Sequence, residues 1–285
     1  MICAWKELLN ILPLRMRQVI DRDGREEAQQ IYLRCGGPPE LVFQNNGVFL
    51  DFLVTADDLN FVVNSASRYS PWAAATISKG YLTAPGGHRI GICGEAVMKE
   101  DHLTGIRNIT SLCIRIARDF PGISRDLAAI KGSILILGAP GWGKTTLLRD
   151  LIRSKSQAGN YISVIDERQE LFPEGYDRGP RTEVLSLCRK DQGIDMVLRT
   201  MCPKILATDE ITAAADCAAL QHAAWCGVSL LATAHASGLA DYLHREVYTP
   251  LVKQNLFDTI VVLHQDKSWH LERSGGWHTN GSVRY

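Results

Sequence analysis

The run Gly138-Ala139-Pro140-Gly141-Trp142-Gly143-Lys144-Thr145-Thr146 carries the most specific chemistry in the chain. It fits G-x-x-x-x-G-K-[ST], and its flanks supply the context that pattern needs. The apolar residues 134–137 read as a strand leading in. Leu147, Leu148, Leu151 and Ile152 follow at helical spacing. Glycines let the backbone curl so that its N–H groups converge, and a helix N-terminus adds positive dipole; together they hold phosphate oxygens. Lys144 is placed to reach the β- and γ-phosphates, and the Thr145 hydroxyl to ligate Mg²⁺. The whole run, Gly138 to Thr146, is therefore expected to bind a nucleoside triphosphate.

Other residues fit around that loop. The apolar stretch 205–208 ends in Asp209-Glu210, two adjacent carboxylates at a predicted strand end. Beside a phosphate loop the first, Asp209, suits Mg²⁺, directly or through water, and the second, Glu210, suits polarising the attacking water. A glutamate there, rather than a glutamine, favours hydrolysis of ATP over a slow switch. Asp166-Glu167-Arg168 ends another predicted strand, 161–165, so Glu167 should face the ligand crevice and assist water or metal, or else belong to an ordinary charged turn. Thr233-Ala234-His235-Ala236 ends the next, where His235 can sense the γ-phosphate or serve structurally. Arg89, Arg115 and Arg118 are candidates for an arginine supplied across an interface, with a plain surface role the alternative for each.

The elements that must position these groups alternate after residue 133. Strands are expected at 134–137, 161–165, 205–208 and 228–233, helices at 144–153, 193–201 and 213–226, and a last strand at 259–264, before a turn-rich tail. This predicts an α/β fold with a mostly parallel, doubly wound sheet. Before it, residues 1–117 read as a smaller α+β domain. A helix is expected over 5–20, strands at 30–34, 40–44 and 48–53, and a helix from Thr55 and Asp58, whose spacing resembles a capping box. Further along come a helix starting near Pro71, a hairpin of 81–83 with 88–97, and a strand at 111–117. Residues 118–132, with Pro121, Gly122 and Gly132, read as a linker to the ATPase domain, 133–285.

Lys+Arg and Asp+Glu both number 31, so no net basic field marks a polyanion binder. A nucleic-acid-stimulated ATPase is thereby disfavoured. The eight cysteines form no C-x-x-C pair, and the simplest expectation is buried, reduced thiols in a cytosolic protein. The first residues carry Lys6 and Glu7 without a small-residue cleavage site, so no secretory leader is expected. The apolar region 211–235 contains Asp216 and breaks at Gly227, which suits a buried helix and strand better than a membrane span. Membrane contact would then run through partners.

Taken in order, 31–34 with its following Gly-Gly-Pro-Pro, GYLTAPGGHRIGICG at 80–94, ITSLCIRIARDFPG at 109–122, GAPGWGKTT, VIDERQE at 164–170, Met201-Cys202-Pro203, ILATDE and TAHA resemble the stage III sporulation protein AA family. These are relatives of the secretion-type ATPases that drive type II and type IV systems. The resemblance implies a RecA-like P-loop core behind a small N-terminal domain. It also implies a homo-oligomeric ring, a hexamer of the secretion-ATPase kind, using ATP and Mg²⁺. The ring would work on the mother-cell cytoplasmic side of a channel whose integral membrane components are its partners. By the same resemblance Glu167 falls in an acidic box and His235 in a histidine box, and Arg115 or Arg89 is the arginine presented to a neighbour. A nucleotide-dependent assembly scaffold, with incidental turnover, is the alternative of a different class.

Overall fold

The computed structural model describes residues 2–24, 27–44, 46–68, 80–173, 175–273 and 279–282. They divide into two compact units, Met1–Asp119 with Pro173–Tyr176, and Phe120–Phe172 with Asp177–Tyr285.

The first unit contains β1 (Ile2–Cys3), α1 (Trp5–Asn10), α2 (Leu14–Gly24), β2 (Gln30–Arg34), β3 (Glu40–Val42), β4 (Gly47–Phe49), α3 (Ala56–Ala66), β5 (Tyr81–Thr83), β6 (Arg89–Lys99), β7 (His102–Arg115) and β8 (Arg118–Asp119). Its main sheet is antiparallel and ordered β4-β3-β2-β7-β6-β5; β1 and β8 pair separately. Alternation sets the buried face. Ile31 and Leu33, Ile90 and Ile92, and Leu112 and Ile114 all point into a core with Leu8, Met16, Leu59 and Val62 from the helices. The Thr55–Asp58 capping box forms, and Arg15 of α2 pairs with the same Asp58. The expected strand 111–117 is the inner end of a much longer β7. Its outer half pairs with β6 as a ribbon exposed on both faces, so no buried side leaves an alternation to read. The helix expected from Pro71 lies outside the described residues.

The second unit opens with α4 (Arg125–Ala128) and continues through β9 (Ile134–Gly138), α5 (Lys144–Gln157), β10 (Ile162–Asp166), β11 (Thr182–Ser186), α6 (Lys190–Thr200), β12 (Ile205–Ile211), α7 (Ala214–Trp225), β13 (Ser229–His235), α8 (Leu239–His244), α9 (Thr249–Lys253), β14 (Thr259–Leu263), β15 (Ser268–Arg273) and β16 (Thr279–Ser282). The sheet order is β11-β10-β12-β13-β9-β14-β15-β16, parallel as far as β14 and antiparallel beyond it. Both faces are covered, as parallel sheets require. Leu135 and Leu137 of β9 pack towards α6 and α7, whereas Ile134 and Ile136 pack towards α4 and α5.

Residues 118–132 are not a free linker. Arg118 and Asp119 are a strand of the first unit, and the remainder is fastened to α5 of the second. Buried Asp150 accepts from the N–H groups of Gly122 and Ser124 at 2.9 and 2.8 Å, and Lys155 donates to the Ile130 carbonyl at 2.5 Å. Arg149 and Arg153 act similarly on the carbonyls of Glu170, Leu171 and Asp177. The polar residues of α5 are thus buried because loop backbone consumes their charge. The cysteines also depart from expectation: Cys217 is buried, but Cys35, Cys93, Cys202 and Cys226 are exposed. Among the described residues no helix is long and apolar enough to cross a membrane.

Candidate active site

The strand order lines up the chemistry. Along the C-terminal edge of neighbouring strands β10, β12, β13 and β9 come Glu167, then Asp209 and Glu210, then His235, then the glycine loop. That edge is where ligands bind in open α/β sheets.

Gly138 ends β9 and Lys144 begins α5. Between them Gly141 and Gly143 adopt φ of +78° and +99°, and Gly143 in its left-handed conformation caps the helix. A side chain at either position would be strained. The first-turn N–H groups of α5 have no intrahelical acceptor, so the loop presents donors to an anion. Lys144 is almost fully buried, and its ammonium donates to the Ala139 carbonyl at 3.1 Å. Desolvation lowers its pKa from the ordinary lysine value, with the Glu210 charge opposing. Lys267, in the β14–β15 turn, donates to the Gly141 carbonyl at 2.8 Å and braces the loop.

Asp209 and Glu210 lie within β12 rather than beyond its end, and the pairing of β12 with β13 shifts register between Thr208 and Glu210. A bulge of this kind re-aims side chains. Glu210 Oε2 lies 2.6 Å from His235 Nε2, and His235 Nδ1 lies 3.2 Å from the Lys144 ammonium. An ammonium can only donate, so Nδ1 accepts and Nε2 carries the proton towards Glu210. Asp209 turns elsewhere. Its Oδ1 is 3.2 Å from the ammonium of Lys190, which also bonds Glu167 Oε2 at 2.9 Å. Burial pushes the Asp209 carboxyl up to about 6 despite Lys190. Lys190 would itself be lowered by burial, but Asp209 and Glu167 outweigh that and hold it above the usual lysine value.

Asp209 Oδ1 is buried and meets Lys190 as an ion pair without an aligned hydrogen bond. An orphaned carboxylate oxygen, with the Thr145 hydroxyl in the first turn of α5, is a donor set suited to a hard divalent cation. Among the described residues no cluster of three or more His, Cys, Asp or Glu is arranged for a metal.

The remaining nominated residues are distributed as follows. Thr145 and Thr146 are half-buried at the start of α5 and Trp142 is half-buried in the loop. Pro140 and Ala139 occupy the loop's first turn, where the Ala139 carbonyl also accepts from Trp142 N–H. Arg89 and Arg115 belong to the first unit, where they sit directly opposite each other on β6 and β7. Arg89 stacks over Tyr81, its guanidinium carbon 4.4 Å from the ring centre. Arg118 donates to the Ala28 carbonyl. Asp166, weighed only with its neighbours, is fully buried and takes the N–H groups of Glu170, Leu171 and Phe172 at 2.8, 3.1 and 2.9 Å, shaping the loop after β10. Sequence reasoning missed Lys190 and Lys267. No local signal marks Lys190, since the helix is expected to begin only at 193 and its partners Glu167 and Asp209 come from other strands.

A glycine loop between strand and helix, with an acidic pair on a nearby parallel strand, defines a RecA-like P-loop domain. The chain belongs to the family described as sporulation stage III, protein AA, whose model matches residues 4–281. Stage III sporulation protein AA of Bacillus subtilis (strain 168) is 32% identical over 281 residues, covering 92% of this chain and 91% of that one. Among solved structures, the Legionella pneumophila ATPase DotB superposes with a TM-score of 0.62 at 19% identity, covering 94% of this chain and 79% of that one. The pilus retraction motor PilT, solved with bound ADP, also gives 0.62, at 16% identity over 92% and 80%. These two carry the fold alone.

Proposed function

We propose that this chain is a Mg²⁺-dependent ATPase that works as a homo-oligomeric ring, driving a secretion-like channel during sporulation from the cytoplasmic, mother-cell side. The observation that carries the ATPase reading is the contact chain from Lys144 through His235 to Glu210, which links the phosphate loop to the carboxylate beside it. Lys144 is the residue for the β- and γ-phosphates. Leaving the Ala139 carbonyl and His235 for a phosphate frees His235 Nδ1, so the Glu210–His235 pair registers whether the loop is filled. Glu210, partly exposed and 2.6 Å from His235 Nε2, then holds and polarises the attacking water. Thr145 and Asp209 would hold Mg²⁺, which supplies neutralisation of charge on the phosphate oxygens. Arg89 and Arg115, opposite each other on β6 and β7, are the residues we assign to reach a nucleotide of a neighbouring subunit.

The decisive test is Glu210→Gln. It should bind a fluorescent ATP analogue as wild type does while its turnover falls by about 10²–10⁴-fold, the range for loss of a general base. Turnover at the wild-type rate would end the catalytic assignment. Light scattering after size exclusion, with and without Mg·ATP, tests the ring, and a monomer under every condition would remove the motor reading.

A further inference from the structure

We propose that Lys190 is a resident stand-in for the metal: it neutralises Asp209 while the nucleotide is absent and withdraws onto Glu167 when Mg·nucleotide arrives. The inference rests on the functional reading above and adds a residue to it.

Three observations carry it. Lys190 is 3% exposed, and its ammonium lies between carboxylates from two different strands, Asp209 on β12 and Glu167 just past β10. It is also the first residue of α6, a position at which the helix dipole repels a cation. A buried lysine there is retained only because those acids draw it in. Finally, the two contacts are unequal. With Glu167 the ammonium makes an aligned hydrogen bond at 2.9 Å, whereas Asp209 Oδ1, at 3.2 Å, is left without one. The firm contact is the one Lys190 can keep. The loose one faces the oxygen assigned to Mg²⁺.

Two cations crowding one carboxylate oxygen repel strongly at low local dielectric, so Lys190 and a divalent ion compete for Asp209. The consequence is an order of events. Without nucleotide, Lys190 satisfies Asp209 and the metal is not held. With nucleotide, phosphate oxygens add the negative charge that lets Mg²⁺ win, and Lys190 falls back on Glu167. Glu167 is then a positioning residue that receives Lys190, and not a metal ligand.

The test uses the full chain and Mn²⁺ as probe, with bound metal counted by loss of the free Mn²⁺ electron paramagnetic resonance signal. Without nucleotide, wild type should show no stoichiometric site. Lys190→Gln should bind one Mn²⁺ at least roughly tenfold tighter than wild type, and adding Asp209→Asn to that variant should abolish the gain. Lys190→Arg, which keeps the charge, should behave like wild type. No gain in Lys190→Gln, or an equal gain in Lys190→Arg, would overturn the proposal.

Wild type alone gives a second arm, should the glutamine variant not fold. Mn²⁺ by itself should leave its melting temperature unchanged, whereas Mn²⁺ with ADP should raise it above ADP alone. Stoichiometric nucleotide-free binding that is lost in Asp209→Asn would refute the stand-in role. Failure of wild type to bind a fluorescent ATP analogue would instead refute the functional reading, and the nucleotide-free Mn²⁺ comparison distinguishes the two failures.

Discussion

Asp209 and Glu210 are neighbours in sequence and occupy different chemical worlds. The Asp209 side chain is 7% exposed and faces Lys190, and that of Glu210 is 31% exposed and faces His235. They meet these different partners, Lys190 for Asp209 and His235 for Glu210, at the place where β12 shifts register against β13. In the proposed mechanism the two acids therefore take two tasks: the buried oxygen would hold the metal and the partly solvated one beside a histidine would hold the water. Environment divides the labour that residue type leaves shared.

The contrast breaks most completely at Lys144. Lys144→Ala removes the cation that the Glu210 side reaches through His235, and with it the charge meant for phosphate. ATP affinity should fall by about 10³-fold or more and turnover should vanish with it. Fluorescence titration with a labelled nucleotide measures this. Undiminished binding would remove the loop from the site.

The two acids should also part in their response to pH. The Asp209 carboxyl titrates near 6 when folded, above its ordinary range, so the fold favours its protonated form. Its contribution to stability is complete below about pH 4 and is lost as pH rises through about 6. Asp209→Asn mimics the protonated state and escapes that loss. From about pH 4 to 7.5 the variant should therefore gain on wild type by up to about 3 kcal/mol in denaturant unfolding, common titrations cancelling. A constant gap would show that Asp209 is not desolvated as described. In the same variant the Mg²⁺ needed for half-maximal nucleotide binding should rise, and in Glu210→Gln it should not.

How much of this was legible in the chain follows from where each signal lived. The loop, the acidic pair and His235 are local patterns at strand ends, and period and residue type locate them. Strand 30–34 and the Thr55 capping box were readable because alternation and cap chemistry are local too. The bulge was not, since it depends on the register between β12 and β13. Lys190 was hidden for a related reason: its partners come from two other strands, and β11, which precedes it, was not foreseen. Residues 118–132 looked like a linker because proline and glycine are visible there, while the side chains of α5 that pin them are distant in sequence. Arg89 and Arg115 lie far apart in sequence, and only strand pairing makes them neighbours.

His235 offers the finest test of the division, because it contacts Glu210 and the loop lysine but not Asp209. With Nδ1 accepting from Lys144, its Nε2 faces Glu210 Oε2 at 2.6 Å and restrains where that carboxylate can sit. His235→Ala deletes that restraint and one of the two contacts of the Lys144 ammonium, which keeps the Ala139 carbonyl, and leaves Thr145 and Asp209 as they were. Turnover should drop by about tenfold, the scale of about 1.4 kcal/mol expected for one hydrogen bond to a charged group. Nucleotide affinity should stay within about threefold, and the Mg²⁺ requirement should not move. Nitrogen chemical shifts of His235 give a readout that a packing role would leave still: the Nε2–H tautomer without nucleotide, and a changed Nδ1 environment once ADP draws Lys144 away. If the alanine variant instead loses Mg²⁺ affinity, the two carboxylates form one coupled site and the separation at β12 is structural only.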